Sequence, residues 1–154
     1  MLKLVITCLI LSLSGMLYAG DNTGSIRVIV TGFNHSSGIA GISLFSSEKG
    51  FPVQSKSAID KVFAEIVQST CTVVFKGVPY GQYAVSVFHD ANMNKKLDVN
   101  IIGMPKEGIG SSNDAKGRFG PPKFKDASIV LDSSEISLII KMAYIKQQEG
   151  KIKE

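Results

Sequence analysis

This chain is expected to fold as an all-β protein, an antiparallel β-sandwich of about seven strands with one long ordered loop. Three observations carry that expectation. Apolar residues alternate with period two in several separate segments, the pattern of strands with one buried face. Turn-forming residues punctuate those segments at short intervals. Helical periodicity is almost absent, with one helix-like fragment after Gly50 and Pro52 in "EKGFPVQSKSAIDKVF".

In "SIRVIVTGF", Ile26, Val28 and Val30 share one face, while Arg27, Ile29 and Thr31 share the other. The turn "NHSSG" at 34–38 precedes a second apolar run, "IAGISLFSS", so a hairpin is expected between them. "TCTVVFKGV" follows with Cys71, Val73 and Phe75 in phase. "PYGQ" reads as a turn because Pro79 presets its dihedral and Gly81 relieves the backbone. The next strand, "QYAVSVFH", sets Tyr83, Val85 and Val87 against Ala84, Ser86 and Phe88. Two more strands are expected at 127–132 ("ASIVLD") and 135–144 ("EISLIIKMAY"). Residues 99–124 show no confident strand; Pro105, Pro121, Pro122 and several glycines stiffen them, so they are expected to form a shaped loop and not a linker.

The first residues have a three-part layout: Lys3, an apolar run over Leu4–Leu13, and "MLYAG" with Ala19 before a cut. That is the pattern of a secretory signal peptide, here residues 1–19. An uncleaved anchor is the alternative, but the run falls short of the ~20 residues that span a bilayer. Export places a single domain at 20–145 in the periplasm or outside the cell, followed by a polar tail at 146–154, with no membrane span after signal removal. Cutting there removes Cys8 and leaves Cys71 alone, so no intramolecular disulfide is expected. The chain has 17 Lys+Arg against 13 Asp+Glu, a formal net charge of +4. Its basic residues are not interleaved with aromatics in a stripe, which disfavours nucleic acid as a partner.

Residues 89–100, "HDANMNKKLDVN", set oxygen-bearing side chains at alternate positions: Asp90, Asn92, Asn94 and then Asp98. Calcium takes about 6–8 oxygens, and a chain supplies them when every second side chain curls around one point. Asp90, Asn92 and Asn94 would give side-chain oxygens, Lys96 its carbonyl, and Asp98 a direct or water-mediated contact. Two positions depart from the pattern. Lys95 stands where a tight turn favours glycine, and Ile101 where a bidentate Glu would close the shell; Glu107 can close it only if the loop folds back. Any calcium affinity is then expected in the weak range of about 10⁻⁴–10⁻³ M. The same spacing also suits a metal-free turn, because Asn and Asp hydrogen-bond nearby backbone.

A catalytic set would have to come from His89, His35, Ser111 and Ser112, yet no G-x-S-x-G elbow accompanies them. Nor does "GIGSSNDAKG" carry the lysine–hydroxyl pair of a phosphate-binding loop.

Residues 79–127 resemble a bacterial family of exported proteins filed as domain of unknown function 2141. The shared motifs are Pro79, Gly81, Tyr83 and Ala84; His89 through Asp98; Gly103, Pro105, Glu107 and Gly108; Ser112 and Asn113; and Phe119 through Phe124. Members often carry Gly at the position of Lys95. "FKGVPYGQYAVSV" is also similar to strands of transthyretin-like and carboxypeptidase-regulatory-like sandwiches, mostly accessory or binding modules, which implies an immunoglobulin-like or prealbumin-like sandwich. The expected function is therefore an exported, non-catalytic binding or accessory module. Calcium would order the 90–107 end, and a surface at His89, Ser112, Asn113, Arg118 and Phe119 would meet a protein, glycan or small ligand. The rival readings are a small hydrolase or lyase using His89, and a structural subunit docking through 119–124.

Overall fold

The computed structural model describes residues 22–118 and 120–145; the expected signal peptide, the polar tail and Phe119 lie outside them. The described chain forms a β-sandwich of eight strands. One sheet holds β1 (Thr23–Thr31) between β4 (Thr70–Pro79) and β8 (Glu135–Lys141). The other runs β3 (Asp60–Glu65), β2 (Ile39–Phe45), β5 (Gly81–Asp90) and β6 (Ile109–Ser111), and β7 (Ile129–Leu131) also pairs with β5.

The alternating residues read from the sequence fill the space between the sheets. Ile26, Val28 and Val30 from β1 meet Cys71, Val73 and Phe75 from β4 and Ile140 from β8. Opposite them stand Ala40, Ile42 and Leu44 from β2 and Tyr83, Val85 and Val87 from β5. The buried core extends from Ile26 to Met142. Among the described residues no helix is long and apolar enough to cross a membrane.

Several expectations are corrected. The first two strands do not form a hairpin: β1 pairs antiparallel with β4 and parallel with β8, while β2 pairs with β3 and β5. Alternation states which face is buried but not which strand lies alongside, and both arrangements bury the same residues. Gly32, at φ +80°, lets the chain leave one sheet for the other. The helix-like fragment is only a 3₁₀ turn at Ser55–Ser57, and strand β3 follows it. There Val62 and Ala64 pack against the core, opposite Ile42 and Ala40. The long loop contains the short strand β6, and a single helical turn, α1 (Phe124–Ala127), precedes β7.

The second sheet is also covered on its outer side. Phe45 is fully buried and meets Phe51 edge-on at 5.4 Å, and Phe51 meets Phe124 in the same way at 5.8 Å. Ser86 donates to the Pro52 carbonyl at 3.0 Å. Segments 48–58 and 120–127 thus clasp this face, and β2 is buried along nearly its whole length.

Burial pushes the Cys71 thiol from 9.0 up to about 11. An acid whose pKa is raised by folding contributes stability that is complete below the unfolded value and lost as pH rises through the folded one. Stability should therefore fall between pH 9 and 11 in wild type and less in Cys71→Ser, once the two are normalised at pH 7. Equal slopes in urea unfolding across that window would show that Cys71 does not couple to folding.

Candidate functional site

The distinctive end of the sandwich begins where β5 runs out. His89 and Asp90 are adjacent, so their side chains leave opposite faces of the strand, and both are buried. His89 turns into the core end. Its Nε2 lies 2.8 Å from the Ser37 carbonyl oxygen, which can only accept, so Nε2 carries the proton. Nδ1 then accepts from the Tyr144 hydroxyl at 2.9 Å, and that oxygen accepts from the Asn34 N–H at 3.2 Å. Burial raises the Tyr144 pKa, and the Asn34 contact opposes this; the hydroxyl keeps its proton for His89. Phe33 packs edge-on against the imidazole at 5.2 Å, and His35 lies across it at 4.5 Å.

Asp90 turns the other way and organises the loop. Its Oδ1 accepts from Asn94 N at 3.0 Å and its Oδ2 from Lys95 N at 2.7 Å. Residues 90–95 are thereby wound into a tight turn in which Met93 and Lys95 take φ values of +58° and +63°. This is the left-handed conformation for which glycine was expected, and Lys95 adopts it under the pull of a buried carboxylate. The Asn92 and Asn94 side-chain oxygens accept from Asn94 N and Lys96 N, and their amide nitrogens donate to Asp98 at 2.7 and 3.1 Å.

The chain does fold back. Glu107 is buried, its Oε1 accepting from Ala91 N at 3.0 Å and its Oε2 from Asp98 N at 2.9 Å. Two buried carboxylates, each holding two backbone N–H groups, thus fasten the beginning, middle and end of the 90–107 loop. Lys106 N donates to Asp98 O, and His89 N to Gly108 O, closing the base.

Every oxygen of Asp90 and Glu107 that accepts one N–H retains a second lone pair. A half-turn of the Asn92 or Asn94 amide would bring its oxygen beside Asp98 and would give up the bond that oxygen accepts from Asn94 N or Lys96 N. The donor set is then all oxygen, the chemistry of calcium and not of a transition metal. Among the described residues no group of three or more His, Cys, Asp or Glu is placed to hold a metal by itself. Any shell here therefore depends on the asparagine oxygens and the Lys96 carbonyl.

The expected ligand surface divides. Ser112 is fully buried; its Oγ accepts from Val85 N at 2.9 Å and donates to the Ala127 carbonyl, tying β5 to α1. Ser111 Oγ donates to Ala115 O at 2.7 Å. Asn113 is exposed, with Nδ2 on the Ser128 carbonyl at 2.7 Å, and it stands on the rim of a groove of about 390 Å³ that Val130, Leu138 and Ile139 also line. Arg118 is exposed. Tyr144 and Asn100, which the sequence reading had not singled out as site residues, both matter here. A tyrosine in phase with core residues needs a partner for its hydroxyl, and Asn followed three residues later by Gly is a turn signature.

A family model described as "Uncharacterized protein conserved in bacteria (DUF2141)" matches residues 28–138. The chain belongs to that family. A search of curated proteins and a search of solved structures each return no match. The DUF2141 match spans the Asp90 turn, Glu107 and Ser112, whereas Tyr144 lies beyond it.

Proposed function

We propose that this DUF2141 chain is an exported, non-catalytic binding or accessory module, periplasmic or secreted, whose 90–107 end takes a calcium ion. The carrying observation is the pair of buried carboxylates, Asp90 and Glu107, that gather four backbone N–H groups around the Asx ladder. Asp90, Asn92, Asn94, Asp98 and Glu107, with the Lys96 carbonyl, would hold the ion. Its binding would rigidify the end that a protein, glycan or small ligand meets. Lys95 and Lys96 lower the affinity by their own charge.

A non-catalytic role is supported by how the polar side chains are used. His89 is closed in by Ser37 and Tyr144, and Ser112 spends both hydrogen-bonding directions on backbone. The 34–38 turn sets Ser37 Oγ 2.6 Å from His35 Nδ1, a contact between exposed side chains two residues apart on the surface.

Thermal unfolding of residues 20–154 in EDTA and in about 5 mM calcium tests the reading. For a site of about 10⁻³ M, native-state binding adds about 1 kcal/mol, a rise of a few degrees in Tm. Asp98→Ala should abolish the rise while leaving the Asp90 and Glu107 contacts to backbone in place. An unchanged Tm in wild type, or an equal rise in the variant, would remove calcium from this loop.

A further inference from the structure

The loop that Asp90 and Glu107 hold carries an unusual tip. Val99 and Pro105 pair across a short stem, and the five residues between them turn tightly. Asn100 N donates to Met104 O at 2.8 Å, and Gly103 N to Asn100 O at 2.9 Å. Asn100 Oδ1 accepts from both Ile102 N and Met104 N, at 3.1 and 2.9 Å. The turn is thus pinned by one side chain, and it carries two isoleucines at its end. Ile101 is 103% exposed and Ile102 77%, with Met93, Val99 and Met104 also exposed. None of these five belongs to the core cluster.

Single exposed apolar residues are ordinary, whereas adjacent ones on a pinned turn point to a contact. The charge around them identifies the kind of contact. Over the 90–107 loop three lysines, Lys95, Lys96 and Lys106, stand against three acids, Asp90, Asp98 and Glu107, but the lysines are exposed whereas Asp90 and Glu107 are buried on backbone N–H groups. Both carboxylate oxygens of Asp98 are engaged by Asn92 and Asn94. The loop therefore presents projecting aliphatic side chains whose exposed charged neighbours are lysines. A flat protein surface would need a pocket to receive such a tip. A bilayer receives it without one: the aliphatic groups enter the acyl boundary, and lysines at the stem reach anionic headgroups.

We propose that the 99–105 tip is a membrane-surface anchor, Ile101 and Ile102 inserting into an anionic leaflet while Lys96 and Lys106 meet its headgroups. Pinning by Asn100 means that little ordering entropy is lost on insertion. The contact is peripheral and does not span the bilayer. It does not depend on the calcium reading.

Co-sedimentation of residues 20–154 with vesicles tests it, in EDTA and in calcium. One set of vesicles is phosphatidylcholine, and the other has about a quarter of the lipid replaced by phosphatidylglycerol. Wild type is expected to pellet with the anionic vesicles in at least one buffer, and much less with the neutral ones. Ile101→Ser/Ile102→Ser should cut that partition roughly tenfold or more, with Tm unchanged because both side chains are exposed. Wild type remaining in the supernatant with both vesicle types overturns the proposal, as does pelleting that the double variant leaves intact. Self-association in sedimentation velocity that disappears in the double variant, without vesicle binding, would instead assign the tip to a protein contact.

Discussion

Asp90→Ala lowers the unfolding free energy by about 2–4 kcal/mol, or roughly 10 °C in Tm. The carboxylate is wholly buried and accepts from Asn94 N and Lys95 N. Truncation removes both acceptors and leaves the left-handed backbone at Met93 and Lys95 without the interaction that offsets it. Asp90→Asn keeps one strong acceptor and should lose about half as much. Urea unfolding monitored by circular dichroism measures both, and hydrogen exchange at the Asn94 and Lys95 amides shows where the loss falls. A wild-type midpoint in Asp90→Ala would mean that the loop is ordered by something other than this side chain.

Gly38→Ala carries the other large expected effect, about 3 kcal/mol, although it deletes no contact. Gly38 sits at φ +87°, where L side chains are strained, and an added Cβ would overlap the Asp90 carbonyl oxygen and lie 2.7 Å from Ala91 Cα. These neighbours are backbone and cannot rotate away. The end of β5 has to shift, and with it the Ser37 carbonyl contact to His89 and the start of the calcium-candidate loop. The variant is therefore expected to lose both stability and any calcium-dependent rise in Tm. Behaviour like that of a surface Gly→Ala change, within about 0.5 kcal/mol of wild type, would show that β5 and the 34–38 turn are not in close contact.

Which parts of this were legible in the sequence follows from the range of each interaction. The inward faces of β1, β4 and β5 are written in period two, and the structure buries the same residues. The Asx ladder is legible because its partners lie within a few positions of one another. Strand partners are not, since Ile26 is compatible with Phe75 and with any other apolar residue of the right phase. β6 escaped notice because three residues with a glycine at the centre have no periodicity to read. The clasp of Phe45, Phe51 and Phe124 joins segments whose aromatic residues look like isolated loop positions in one dimension. His89 and Ser112 looked like surface chemistry because polar residues at strand ends usually are; only the three-dimensional neighbours, Tyr144 and Ala127, reveal that they are internal ties. Glu107 was within reach of the reading, but only on the condition that the loop return.

The parallel pairing of β1 with β8 has a consequence for how the polypeptide reaches its native state. Ser25 lies opposite Glu135 and Thr31 opposite Lys141, so the first strand finds one of its two neighbours among the last residues of the described chain. β1 gains its second neighbour only when β8 is available, and closure of so long a loop slows folding. An incomplete chain lacks Ile140 and Met142 and cannot seal the space between the sheets. A chain cut before β8 is therefore expected to leave the core face of β1 open and not to fold in part.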